Sequence, residues 1–132
     1  MKVSIEKQSD GTYIAYNTTG DHCTLIGTGN TVKEAKEDFF NSIAEVTESY
    51  KQRGDFMPVE LTETPEFRFD ITSLFEYYSM FNVSALARYL GINDSLMRQY
   101  RSGAAQISDK QLEKIEAGIH RLGLELAALR LV

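Results

Sequence analysis

The stretch LGINDSLMRQYRSG, residues 90–103, holds two glycines, Gly91 and Gly103, with eleven residues of turn-and-helix pattern between them that include two arginines and a glutamine. Asn93 is a good helix cap and Gly103 a good helix stop, so a helix of about eight residues is expected after Asn93. Just upstream, Val83, Leu86, Ala87 and Leu90 recur at helical spacing and stop at Gly91. Two short helices joined by a turn that contains glycine form the helix-turn-helix signature. Such a unit lays its second helix in the major groove of DNA.

The second helix divides cleanly when drawn as a wheel. Leu96, Met97 and Tyr100, with Ile92 before them, fall on one side and are expected to pack on Leu86, Leu90 and Ile115. Ser95, Arg98 and Ser102 fall on the other, flanked by Asp94, Gln99 and Arg101. Serine, arginine and glutamine supply the donors that phosphates and base edges accept. The alternative is a helical hairpin that serves only the fold.

Charge is distributed in keeping with two partners. The chain has 132 residues and a formal net charge of −5. Residues 1–65 hold 6 Lys+Arg against 11 Asp+Glu, and residues 66–132 hold 8 of each. Within 82–103 there are three arginines (Arg88, Arg98, Arg101) and one acid, Asp94. An acidic half joined to a locally basic segment suits partners of opposite charge.

The first half reads as a small sheet with one helix. Val3 and Ile5 alternate with polar residues, as do Ile14 and Tyr16. Asp10-Gly11 between them suits a two-residue hairpin turn, which would set Ile5 opposite Tyr16 and put Val3, Ile5, Ile14 and Tyr16 on one face. A third strand is expected over 23–27. Thr31 and Glu34 have capping-box spacing. The stripe Val32, Ala35, Phe39, Ile43, Val46 and Tyr50 then predicts a long helix that ends near Arg53-Gly54. Residues 53–65 hold both prolines and read as a connector. Phe67 and Phe69 alternate and predict a fourth strand over 66–70. Farther on, Ser108 and Gln111 repeat the capping-box spacing ahead of Leu112, Ile115, Ile119 and Leu122, with Gly123 a candidate interruption.

Two resemblances go with these readings. LGINDSLMRQYRSG resembles the helix-turn-helix of the phage repressor, Cro-like class, L-G-[hydrophobic]-S/T-Q-x-x-[IL]-x-x-[YLW]-E-x-G. Leu90, Gly91, Ile92, Asn93, Met97, Tyr100 and Gly103 fill its places without a gap. The resemblance implies base-reading positions at Asp94, Ser95 and Gln99 and a phosphate contact at Asn82. Asp94 stands where the class has glutamine, and Arg101 where it has glutamate. DGTYIAY and CTLIGTGNTVKEAKEDFFNSI resemble the HicB antitoxin domain through Asp10, Gly11, Tyr13, Cys23, Gly29, Thr31, Glu34 and Ala35. The chain has Asp21-His22 where that family has Pro-Gly, and Gly27 is extra. EFRFDITSLFEYY is similar to the connecting strand and helix of a Bacteroidetes-type subgroup. The family implies a partial ribonuclease H fold, a small basic HicA-like mRNA-cleaving toxin as partner, and repression of its own operon.

The expected fold is therefore α+β. A three- to four-stranded antiparallel sheet with one helix occupies residues 1–70, and an all-α helix-turn-helix domain residues 71–132. The expected DNA-binding residues are Asn82, Asn93, Asp94, Ser95, Arg98, Gln99, Arg101 and Ser102. Expected partners are operator DNA, a HicA-like toxin and further copies of the chain, with LELAALRLV (124–132) a dimer contact or a closure of the local core. A stand-alone regulator whose first domain senses a ligand or only dimerises is the alternative. No catalytic residue, metal or cofactor is expected. Glu6, Glu34, Asp38 and Asp70 are the acids a two-metal nuclease would need; His22 and Cys23 lack the partners for a four-ligand site. No apolar run approaches the roughly 20 residues of a membrane span, and the start lacks a signal-peptide core. The single cysteine, with these, leads to an expectation of a cytoplasmic protein.

Overall fold

The computed structural model describes every residue from Met1 to Val132. Its contacts divide the chain into two compact units, Met1–Tyr78 and Ser79–Val132. The division falls one helix later than the expected boundary at 70, because Ile71–Tyr77 packs on the sheet rather than with the helices that follow.

The first unit is a four-stranded sheet with helices. Its strands are β1 (Lys2–Lys7), β2 (Tyr13–Asn17), β3 (Ile26–Gly29) and β4 (Glu66–Phe69), in the order β3-β2-β1-β4. The long helix α1 (Val32–Arg53) follows β3, and the short helix α2 (Ile71–Tyr77) follows β4. The sheet is mixed, not antiparallel throughout: β1 pairs antiparallel with β2 but parallel with β4. The order of elements requires this. Two antiparallel steps make β3 parallel to β1, and a helix that carries the chain back along the sheet sets the next strand parallel to both. At 1.5 Å per residue the 22 residues of α1 span about 33 Å, ample for that return.

The hairpin register differs from expectation by one residue. Ile5 faces Ala15, and Lys7 faces Tyr13. The loop has three residues: the Gly11 N–H donates to the Gln8 carbonyl (3.0 Å) and the Gln8 N–H to the Thr12 carbonyl (2.7 Å). Gly11 alone takes positive φ, at 87°, and no non-glycine residue does so anywhere in the chain. A type I′ turn would have forced Asp10 there as well; a type I turn followed by one left-handed glycine avoids it. Every side chain of β2 consequently changes face. Val3, Ile5, Tyr13 and Ala15 join Leu25, Val32, Ala35 and Phe39 in the core, while Ile14 and Tyr16 lie on the opposite face.

α1 starts and stops as its sequence dictates. Thr31 Oγ1 accepts from the Glu34 N–H at 3.1 Å. Glu34 reaches back one residue farther than a standard box, to the Asn30 N–H at 2.7 Å. Gly54, at φ 69°, lets the Gly54 and Asp55 N–H groups close on the Lys51 and Tyr50 carbonyls. α1 docks closely on β3. A Cβ at Gly27 would overlap the Phe39 nitrogen and the Ala35 oxygen, so the strand can lie there only without one. β3 itself begins at Ile26, later than the expected 23–27, and Leu25 just before it is fully buried.

The connector is more ordered than its prolines suggest. Val59–Leu61 forms one 3-10 turn, and Glu60 is 2% exposed. Its Oε1 accepts from the His22 N–H at 3.1 Å and lies 3.2 Å from His22 Nδ1, which pins the loop between β2 and β3.

The second unit is three helices: α3 (Val83–Leu90), α4 (Asp94–Ser102) and α5 (Asp109–Ala128). Ser108 caps α5 through the Gln111 N–H at 3.2 Å, as its spacing predicts. The inward stripe of α5 is shifted from expectation. Ile115 and Gly118 are buried, whereas Leu112 is 37% exposed. The Leu90 side chain packs into the space that a Cβ at Gly118 would fill. Gly123 does not interrupt α5. Nor do residues 124–132 close a local core: Leu124, Leu126, Leu129 and Leu131 are all more than half exposed. No helix is long and apolar enough to cross a membrane.

Candidate nucleic-acid interface

α3 and α4 are positioned by their caps. Asn82 Oδ1 accepts from the Ala85 N–H at 3.0 Å, and Asn93 Oδ1 from the Leu96 N–H at 3.1 Å. Each cap of this kind contributes about 1 kcal/mol relative to alanine. Between the helices Gly91 sits at φ 73°, and the Ile92 N–H returns to the Ala87 carbonyl at 2.8 Å. That reversal throws Ile92 inward, where it is 6% exposed. Lys114 of α5 adds a donor to the Gly91 carbonyl at 3.0 Å, a cation on the C-terminal end of α3.

The two faces of α4 separate as the wheel predicts. Met97 is fully buried and Tyr100 is 7% exposed, in a core with Val83, Leu86, Ala87, Leu90 and Ile115. Ser95, Arg98, Gln99, Arg101 and Ser102 are exposed. A nine-residue helix is thus anchored through one side and presents a polar side made of arginine, glutamine and serine. The side chains that bury Met97 and Tyr100 hold the outward face rigidly, which a recognition surface needs.

Pairings between α3 and α4 refine the roles of the outward residues. Arg88 Nη1 lies 2.7 Å from Asp94 Oδ2, so the one acid on this surface is matched by a guanidinium. The Asp94 carboxylate can only accept hydrogen bonds, and its negative charge is offset by Arg88. Arg98 Nη1 donates to Ser84 Oγ at 2.8 Å, which props the guanidinium across the mouth of the two helices. Ser102 is the least suited of the eight expected residues, since its hydroxyl proton goes to the Gln99 carbonyl at 3.2 Å. Asn82 and Asn93 spend their carbonyl oxygens on caps and keep their amide N–H groups as donors. Arg88 and Ser84 escaped the expected site because their contribution runs through another helix, a relation that spacing within one helix does not carry.

Electrostatics divide the same way. The unit Met1–Tyr78 holds 7 Lys+Arg and 14 Asp+Glu; the unit Ser79–Val132 holds 7 Lys+Arg and 5 Asp+Glu. Their formal charges are therefore −7 and +2.

Four acids of the first unit are engaged in local structure. Glu6 accepts from the Tyr16 hydroxyl at 2.9 Å, which raises the Tyr16 pKa. Asp38 accepts from the Thr28 N–H at 2.8 Å. Asp70 caps α2 through the Ser73 N–H at 2.7 Å and takes the Lys7 N–H at 3.0 Å. Glu34 caps α1. These four carboxylates do not converge, and no three His, Cys, Asp or Glu side chains lie together as a metal cluster. Cys23 is half-buried; burial, with the charge of Glu60 adding to it, pushes its thiol pKa up, the opposite of an activated nucleophile.

No family description, curated protein or solved structure matches this chain.

Proposed function

We propose that the protein is a DNA-binding antitoxin of the HicB type, a repressor of its own operon whose first unit holds a small basic HicA-like toxin. The observation that carries the DNA half is the outward face of α4: exposed Ser95, Arg98, Gln99 and Arg101 on a helix whose other side is buried through Met97 and Tyr100. Arg98 and Gln99 read base edges, Asp94 and Ser95 accept or donate at the start of the helix, and Arg88 and Arg101 lie against phosphates. The protein half rests on the resemblance of residues 2–50 to the HicB domain and on the −7 charge of the first unit, which attracts a basic partner and speeds encounter. A protein of this kind acts without a cofactor, in the cytoplasm, as a dimer or larger homo-oligomer.

The DNA half is tested by titrating the protein onto a duplex that spans its own promoter at increasing salt. Two arginines per protomer on phosphates, in a dimer, give a slope of log affinity against log salt of roughly −4, or about a hundredfold loss between 50 and 200 mM salt. A flat dependence contradicts phosphate contact. The toxin half expects a short basic reading frame beside this gene, whose product co-purifies with the first unit's surface intact. A protein without such a neighbour would instead fit the stand-alone regulator.

A further inference from the structure

One side chain of the proposed DNA surface has the wrong sign for it. Asp94 opens α4, and its side chain is 31% exposed. The exposed residues beside it, Ser95, Arg98, Gln99 and Arg101, can all donate hydrogen bonds, whereas a carboxylate only accepts them. The N-terminal residues of a helix laid in the major groove are those that meet base edges. An acid at that place is repelled by the phosphates that line the groove, unless a base offers it a hydrogen.

Asp94 has two uses within the protein. Its charge suits the N-terminal end of α4, and its Oδ2 accepts from Arg88 Nη1 at 2.7 Å. Neither engages Oδ1 in a hydrogen bond. Arg88 comes from the last turn of α3, so it holds the carboxylate from the side and offsets its charge. Oδ1 is thus an acceptor fixed in place at the head of α4.

We propose that Asp94 sets the base preference there: it takes the amino group of a cytosine and turns away guanine and thymine. This rests on the DNA-binding reading above and adds the chemistry of the base that the helix requires. In the major groove cytosine presents the N4 amino group, and adenine the N6 amino group beside the N7 acceptor. Guanine presents N7 and O6, and thymine O4 and a methyl group, so neither has a hydrogen to give. Oδ1 accepts from cytosine N4 with no acceptor of the same base beside it. At adenine the carboxylate also meets N7, and two acceptors repel. The order is therefore cytosine, then adenine, then the other two.

The test is selection from randomised duplexes by the full chain, with a thermal melt of each variant. Fluorescence anisotropy then compares four duplexes that differ only at the affected position. The wild type should enrich a site with one position led by cytosine, about tenfold or more above guanine or thymine. Asp94→Asn, nearly the same size, should move that position to adenine, because an amide both accepts from N6 and donates to N7. Asp94→Ala should bind the cytosine duplex less tightly than the wild type but the guanine and thymine duplexes more tightly. A lost brace between α3 and α4 weakens all four duplexes alike, and a lost charge strengthens all four alike. Either result overturns the proposal and leaves DNA binding standing. So do three proteins that select the same base at every position, or an affected position led by guanine or thymine. A wild type that enriches no sequence overturns both.

Discussion

Replacing Arg98 and Gln99 together by alanine should abolish specific DNA binding and leave the fold and the first unit's partner binding intact. Both side chains are exposed on α4, and neither supports the core built from Met97 and Tyr100. Exposed substitutions of this kind shift stability by about 0.5 kcal/mol or less. The one bond lost inside the protein is from Arg98 Nη1 to Ser84 Oγ, itself at the surface. At a base edge, by contrast, each bidentate contact discriminates by about 1–3 kcal/mol. Two of them removed from each recognition helix lower affinity for the proper site by a hundredfold or more, while non-specific binding through Arg88 and Arg101 falls less. Fluorescence anisotropy on promoter and scrambled duplexes, beside a thermal melt, separates these effects. Equal loss on both duplexes would show that the pair only contributes charge. A lowered melting temperature would show that it supports the fold.

Gly27→Ala should unfold or severely loosen the first unit. The glycine is not there for an unusual backbone angle; it is there because α1 lies directly on the strand. The added methyl would meet the Phe39 nitrogen and α-carbon and the Ala35 oxygen, all backbone atoms of a helix that cannot turn aside. α1 must lift from β3, and Phe39 and Leu25, both fully buried, lose their packing. Overpacking against backbone costs about 3 kcal/mol or more. For a unit of this size that lowers the melting temperature by roughly 12–24 °C. Gly123→Ala is the control, with open space around it and a gain of helix propensity. Equal melting of the Gly27 variant and the wild type would mean that α1 does not dock on β3 as described.

Gly27 also shows what spacing alone conceals. Against the HicB pattern it reads as an extra loop residue, and only the helix above it gives it a reason. The helix ends, in contrast, were open to reading, because a cap is a side chain at fixed distance from the N–H it satisfies. Thr31, Asn93 and Ser108 all cap as their neighbours imply. The hairpin register was not open to reading. Tyr13 and Ala15 are as apolar as Ile14 and Tyr16, so alternation fits either face, and Asp-Gly suits both a two-residue and a three-residue loop. Strand direction leaves no mark on composition, which is why the parallel pairing of β4 came only with the structure. Glu60 is one buried acid in a polar connector with no periodicity to reveal it. On α5, the burial of Gly118 was hidden in the same way, since a glycine that admits Leu90 adds nothing to an apolar stripe.

The candidate interface follows the same division. Which side chains of α4 point outward follows from helical periodicity within one segment, and the exposures agree with it. What those side chains hold depends on α3: Asp94 is held by Arg88, and Arg98 by Ser84. A local motif reports a local surface; the electrostatic tuning of that surface is tertiary.

The most direct measurement is an amide NMR titration of the full chain with a duplex from its own promoter. The account predicts that shifts concentrate at Asp94–Ser102 and at Asn82, with the sheet of Met1–Tyr78 unmoved. Shifts confined to the sheet, or none in α4 at saturation, would contradict it.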